Sequence, residues 1–315
     1  MVNRLKQRSL SLLTASLAVL VPAFSTLADE FRITRDIEYA RLGDVSLKLD
    51  LYVPPNAKPP LVVWVHGGAW KGGSKSNPSV LPLTERGYAI ASVDYRLSPV
   101  AQFPAQIHDI KAAIRYLRAT AKEHGISAEQ IAISGGSAGG HLAALVGVTN
   151  GVNALEGDVG SHGDQSSDVQ AIVVFYGASN LTTILSQSTP HGLNVRVPAL
   201  ELLLDGDLDQ TKARAIIEGF SRGIVPKPYR LASLASPVFH VDAKDPPLLW
   251  FHGDQDPQMP INQAHEMMGA YKKQGLTATF EPVYGGGHGG KLFFTPEQMA
   301  QVADFLDRAS RSKAK

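Results

Sequence analysis

Gly135-Gly136-Ser137-Ala138-Gly139 is the stretch that most narrows what this chain can become. It fits G-x-S-x-G, in which a serine sits at a sharp turn between a strand and a helix and its hydroxyl projects from the end of a sheet. The flanking glycines answer a steric demand, because residues two before and two after the serine come too close to other backbone to carry side chains. Three fixed letters in a chain with 29 glycines are a modest signal, so the flanks decide. Ile131-Ala132-Ile133 reads as a strand before the turn, and His141-Leu142-Ala143-Ala144-Leu145 as a helix after it. The helix N-terminus then points at the serine and favours negative charge there. The plain alternative is a tight strand-to-helix turn built of small residues, with no chemistry.

The rest of the chain supplies the sheet such a turn requires. Phe31 to Leu42 and Val45 to Val53 read as an antiparallel pair joined at Gly43-Asp44. Leu61 to Val65, Tyr88 to Val93, Gln130 to Ser134, Gln170 to Phe175, Pro247 to Phe251 and Thr277 to Val283 read as strands, several of them continuous apolar runs. Such runs mark strands buried on both faces. Helical spacing occupies Pro104 to His124, Ala138 to Val148, Asn262 to Gln274 and Pro296 to Ser310, with a short candidate at Pro78 to Arg86. This alternation predicts an α/β fold: a mostly parallel eight-stranded sheet with helices on both faces. Two stretches break the rhythm. Gly151 to Ser167 is rich in Gly, Asp and Ser and reads as a surface excursion. Ala178 to Pro237 carries amphipathic fragments, among them Pro198 to Leu204 and Thr211 to Phe220, and reads as a cap-like insertion above the strand ends.

His66-Gly67-Gly68-Ala69-Trp70 follows the strand that ends at Val65. Small residues let the backbone curl over the serine and aim N–H groups at a substrate oxygen; with the N–H of Ala138 these would form an oxyanion hole. Gly68 and Ala69 are the leading loop donors, and Gly67 is a third candidate. Trp70 either lines the substrate pocket or packs the loop.

In this architecture the chain order is nucleophile, acid, base. Of ten histidines, His240 and His252 come too early and His265 falls inside an amphipathic helix. His288, in Gly285-Gly286-Gly287-His288-Gly289-Gly290 just after a strand, has the mobile, glycine-lined strand-end position a general base needs. Asp254 and Asp256 compete as the acid. Asp256 is favoured, lying deeper in the loop and followed by Pro257, whereas Asp254 suits a turn-capping role. Asp242 and Asp245 belong to the loop before that strand. Asp109 either supports the elbow from below or is an ordinary helix charge, and His141 reads as a packed helix residue.

Composition excludes more than it assigns. Lys plus Arg is 30 against Asp plus Glu at 29, which gives no electrostatic case for a nucleic acid partner. With no Cys, disulfides, thiolate metal sites and a cysteine nucleophile are all ruled out. No His and carboxylate cluster has metal-ligand spacing, so neither metal nor cofactor is inferred. Residues 1–28 read as a signal peptide: Arg4, Lys6 and Arg8, then the apolar run Leu10 to Val21, then Thr26-Leu27-Ala28 before Asp29. The run is short for a spanning helix, which implies an exported, periplasmic or secreted domain over 29–315 with no stable membrane span after cleavage. Oligomeric state is not encoded in any pattern here.

With these parts placed, the chain resembles the α/β-hydrolase esterases, and within them the BD-FAE-like branch (bifunctional carbohydrate and feruloyl esterases) near the hormone-sensitive-lipase-like enzymes. The carriers are His66 to Trp70, Asp94-Tyr95-Arg96-Leu97-Ser98-Pro99, Gly135 to Gly140, Ala235-Ser236-Pro237-Val238, His252 to Pro260 and Gly287-His288-Gly289. Two positions depart from the usual pattern: Ala69 replaces a third glycine, and Met259 stands where valine is common. The resemblance implies a serine carboxylic-ester hydrolase acting through Ser137, His288 and Asp256 on short-chain, aryl or carbohydrate-linked acyl esters. Amide hydrolysis of the formamidase or peptidase type would use the same triad. A non-catalytic binding protein of this fold usually lacks a triad member, and this chain keeps all three.

Overall fold

The structure is a computed structural model that describes residues 31–204 and 227–312. The expected leader at 1–28 and the fragment Thr211 to Phe220 lie outside the described residues.

All eight expected strands form one sheet in the order β1-β2-β4-β3-β5-β6-β7-β8. β1 (Arg32–Leu42), β2 (Val45–Val53) and β4 (Ala89–Val93) make the antiparallel end of it. β3 (Leu61–Val65), β5 (Ile131–Gly136), β6 (Ala171–Phe175), β7 (Leu248–Gly253) and β8 (Ala278–Val283) run parallel to one another and to β4. The apolar runs of the central strands have the expected cause. Side chains alternate across the sheet, and each face is covered, so both sets must be apolar. Val63, Val65, Ile133, Val174 and Trp250 enter one core; Val62, Trp64, Ala132, Phe175 and Phe251 enter the other.

The first core is closed by α1 (Ala105–Ala119), α2 (Ala121–His124), α3 (Ala138–Gly147) and, further along the chain, α8 (Asn262–Lys273), through residues such as Ile110, Leu142 and Met267. The second is closed by the short 3-10 turn Leu81–Arg86 and by α9 (Pro296–Ser312), through Leu83, Val302 and Leu306. Pro104 to His124 divides into α1 and α2 at Thr120, and Gly125 stops α2 in the left-handed region at φ 70°.

The two interruptions pack more than their compositions suggest. Gly151 to Ser167 contains α4 (Asn153–Glu156), buries Leu155 and Val159, and delivers Glu156 to Lys111 and Arg115 on α1. It is thus a surface excursion pinned to α1 at these points. In the described part of the insertion, α5 (Ile184–Gln187), α6 (Pro190–Leu204) and α7 (Lys227–Leu234) are helical. α6 begins eight residues before the fragment read from the sequence and carries Pro198 inside it. The insertion is anchored at its base. Ser236 Oγ donates to Ala232 O and accepts from Leu181 N, while Gln263 on α8 accepts from the amides of Ser179 and Asn180.

Candidate active site

The turn at Ser137 is as tight as the sequence required. Ser137 has φ 56° and ψ −121°, a conformation that costs a non-glycine residue energy and persists only where its surroundings impose it. A side-chain carbon on Gly139 would lie 2.0 Å from Val65 O, and one on Gly135 2.3 Å from Gly139 O. The elbow therefore packs directly on the end of β3. α3 begins at Ala138, so its first amides face the serine.

Three side chains from three strand ends meet here. Ser137 Oγ is 2.8 Å from His288 Nε2, and His288 Nδ1 is 2.8 Å from Asp256 Oδ2. His288 reaches the serine from the glycine-rich loop after β8, and Asp256 from the loop after β7. Asp256 Oδ1 accepts from the amides of Gln258 and Met259, each at 2.8 Å. Burial pushes its carboxyl up. Hydrogen bonds from His252, His288 and the Met259 amide more than offset this and hold it well below the usual carboxylate range. Asp256 is thus ionised, and the His288 proton belongs on Nδ1, leaving the Nε2 lone pair facing Ser137.

Asp254 takes the turn-capping role: its Oδ1 accepts from Gly285 N at 2.7 Å and ties the acid loop to the histidine loop. Asp245 accepts from Asp242 N in the segment before β7, remote from the serine's bonded partners. His265 sits in α8, edge-on to Phe280.

The His66–Trp70 segment lies over the elbow. A side-chain carbon on Gly67 would come within 3.2 Å of Ser137 Cβ. The chain then passes through three consecutive left-handed residues, Gly68 (φ 112°), Ala69 (φ 52°) and Trp70 (φ 58°). Among the described residues no hydrogen bond engages the amides of Gly67, Gly68, Ala69 or Ala138. His66 Nδ1 meets Gly67 O at 2.8 Å, and its ring stacks on Tyr95. Trp70 lines the cavity over Ser137, yet it is only 2% exposed, and its indole N–H donates to His141 Nδ1 at 3.1 Å. It therefore both edges the pocket and packs the loop. His141 passes the link on from Nε2 to Ala235 O at 2.6 Å; burial pulls its imidazole down to about 4, so it stays neutral.

Asp109 does support the site, though not from beneath the elbow. Wholly buried, it grips the Arg96 guanidinium through both oxygens and also accepts from Arg96 N. Two residues on, Ser98 N donates to Trp70 O. The ion pair thus braces the loop that lies over the serine.

Sequence reasoning missed three neighbours. Tyr176, after β6, packs edge-on against His288 with ring centroids 5.1 Å apart. His252, set aside as a base, is fully buried at 3.5 Å from Asp256 Oδ2. It donates from Nε2 to Met259 O while Nδ1 accepts from Trp250. Arg196, on α6, lines the cavity. Tyr176 and His252 each sit at a strand end, a weak signal that would have flagged them; nothing in the pattern of the insertion marks Arg196. Among the described residues no group of three or more His, Asp or Glu stands close enough to hold a metal ion. No helix there is long and apolar enough to cross a membrane.

A mostly parallel sheet of this order, with serine, imidazole and carboxylate in bonded series at the ends of its parallel strands, defines the α/β-hydrolase fold. The chain belongs within that class to the BD-FAE family, whose sequence pattern matches residues 49–271. Among curated relatives it is 32% identical over 249 residues to the probable carboxylic ester hydrolase LipM of Mycobacterium tuberculosis, a match covering 74% of this chain and 52% of LipM. It is 32% identical over 252 residues to esterase LipQ of the same organism, covering 77% of this chain and 53% of LipQ. The chain thus spans about half the length of these two relatives. Among solved structures, a truncated carbohydrate esterase from gut microbiota superposes with TM-score 0.75 at 30% identity, covering 90% of this chain and 98% of that one. The propionate-bound esterase of Thermogutta terrifontis superposes with TM-score 0.65 at 26% identity, covering 90% and 94%.

Proposed function

We propose that the protein hydrolyses carboxylic esters through an acyl-enzyme on Ser137, with His288 as general base and Asp256 as the residue that orients it. The observation that carries this reading is the bonded series from Ser137 Oγ to His288 Nε2 and from His288 Nδ1 to Asp256 Oδ2, each link 2.8 Å, beneath a loop of unengaged amides. As Ser137 Oγ attacks the ester carbonyl carbon, His288 Nε2 takes the hydroxyl proton. The carbonyl oxygen becomes an oxyanion, received by the amides of Ala138 and of Gly68 or Ala69, with Gly67 alongside. Collapse expels the alcohol, which takes the proton back from His288. Water, activated by the same imidazole, then releases the acid. The names of the relatives support ester rather than amide cleavage, and carbohydrate-linked acyl groups are the substrate class suggested by the gut esterase. The same proposal places the mature chain outside the cytoplasm, beginning at Asp29, which N-terminal sequencing of the exported protein would test.

A fluorophosphonate should label the wild type at Ser137, and Ser137→Ala should fold yet lose both labelling and turnover of 4-nitrophenyl acetate. Undiminished turnover in that variant would move the chemistry elsewhere. Faster cleavage of an aryl formamide than of the matching aryl ester would replace ester with amide hydrolysis.

A further inference from the structure

Arg196 is placed where a merely structural arginine would be poorly served. Its side chain is 5% exposed and lines the cavity of about 550 Å³ over Ser137. Nε donates to Ser188 Oγ at 2.9 Å, and Nη1 reaches only the thioether of Met259 at 3.5 Å. Nη2 is buried and has no hydrogen-bond partner. A guanidinium carries five N–H donors in a planar fork, and leaving them unmatched in a buried position is costly. No carboxylate stands within ion-pair distance among the described residues. Asp256 exerts an attraction, but its oxygens already serve two amides and His288. Burial pulls the guanidinium down to about 10, against the pull of Asp256, so it remains charged at neutral pH.

The surroundings favour one kind of ligand. The cavity lining holds Arg196 and Lys71 together with the imidazoles of His66 and His288, and among the described residues it contains no Asp or Glu. Beside Nη2 the chain has Gly192, where even a single added carbon would lie 3.0 Å from that nitrogen. A side chain there would crowd Nη2, which is closed off from solvent in this conformation. Thr189 Oγ1 donates to Pro257 O, fixing the start of α6 to the acid loop and so holding Arg196 beside the reacting groups.

We propose that Arg196 receives a carboxylate carried by the substrate, so that the site takes esters whose acyl or alcohol part is itself anionic. This rests on the ester-hydrolase reading and narrows its substrate class. A charge-assisted pair between that carboxylate and the guanidinium would satisfy Nη2, and its loss corresponds to about a 100-fold fall in kcat/KM.

Two substrate pairs test it: mono-4-nitrophenyl glutarate against 4-nitrophenyl pentanoate, with the charge on the acyl side, and 4-acetoxybenzoate against its methyl ester, with the charge on the alcohol side. The quantity read is the anionic-to-neutral ratio of kcat/KM in the wild type, Arg196→Gln and Arg196→Lys. The ratio should fall about 100-fold in Arg196→Gln for one pair, which identifies the side, and Arg196→Lys should retain part of it. A ratio unchanged in both pairs, or equal loss on charged and neutral esters, overturns the proposal. Should the variants fail to fold, the wild type still decides: glutarate must protect Ser137 from a fluorophosphonate at far lower concentration than glutaramide, and equal protection overturns it. A wild type that turns over no neutral ester and takes no fluorophosphonate label counts instead against the ester-hydrolase reading.

Discussion

Asp256→Asn exchanges one oxygen for an amide nitrogen at nearly constant shape, and the structure dictates how the new side chain must sit. Asp256 Oδ1 accepts from two backbone amides, Gln258 N and Met259 N, each at 2.8 Å. Only the asparagine oxygen can accept, so it takes that position and turns its NH2 toward His288 Nδ1. His252 cannot relieve the conflict, because its Nε2–H, which faces both Met259 O and Asp256 Oδ2, can only donate and so cannot accept from the new NH2. His288 Nδ1 must then become an acceptor, and its proton moves to Nε2, where it faces Ser137 Oγ. A base already protonated on the attacking side cannot take the serine proton. The expected loss is about 10⁴ in kcat, the size found when a triad carboxylate is made an amide, or about 5.5 kcal/mol of transition-state stabilisation. The fold should survive, since both amides keep their acceptor; the urea midpoint should move by no more than about 1 kcal/mol equivalent. Steady-state hydrolysis of a 4-nitrophenyl ester alongside urea unfolding reads both quantities. A loss below tenfold with intact folding would show that the carboxylate does not set the tautomer, and collapse of the fold would show that the amides do not govern the orientation.

Asp109→Ala should destabilise the protein by about 3 kcal/mol, because it strands a largely buried guanidinium, and should lower kcat/KM by loosening the loop that Ser98 ties to Trp70; chemical denaturation and ester kinetics would read these. Trp70→Phe keeps the ring but leaves His141 Nδ1 without a donor, a loss of about 1–3 kcal/mol, with a larger effect on kcat than on KM. The Asp245 carboxyl, pushed up to about 7 by burial and further by Asp242, binds a proton in the folded state that the unfolded chain has released. Between about pH 4 and 7 its contribution to stability therefore falls as pH rises. The melting temperature of Asp245→Asn should depend less on pH across that window than the wild type's, and equal slopes would refute the assignment.

Legibility in the sequence followed how local each constraint is. The strands were readable because burial on two faces writes apolar runs, and the elbow because the close approach of Gly135 and Gly139 to neighbouring backbone excludes every other residue. His288 emerged from chain order and its glycine setting, whereas the choice between Asp254 and Asp256 turns on two loops meeting, which spacing does not encode. Trp70 stayed ambiguous in the sequence for a physical reason, since its indole does both things at once. Asp109 acts through Arg96, a partner 13 residues away, so its role could not be read from its own helix. Arg196 was invisible, because an arginine on a helix of mixed polarity looks solvated until the packing around it is known.

The indole-to-imidazole link from Trp70 through His141 to Ala235 has a further consequence. Ala235 lies at the foot of the insertion, while Trp70 closes the strand-end loop above the serine. Insertions of different length or sequence can be exchanged between such proteins only if that foot stays in register. A graft that shifts it would leave the nucleophile intact and still labelled by phosphonates, yet slow to form the acyl-enzyme, a failure that would look like poor substrate choice when its origin is a misplaced carbonyl.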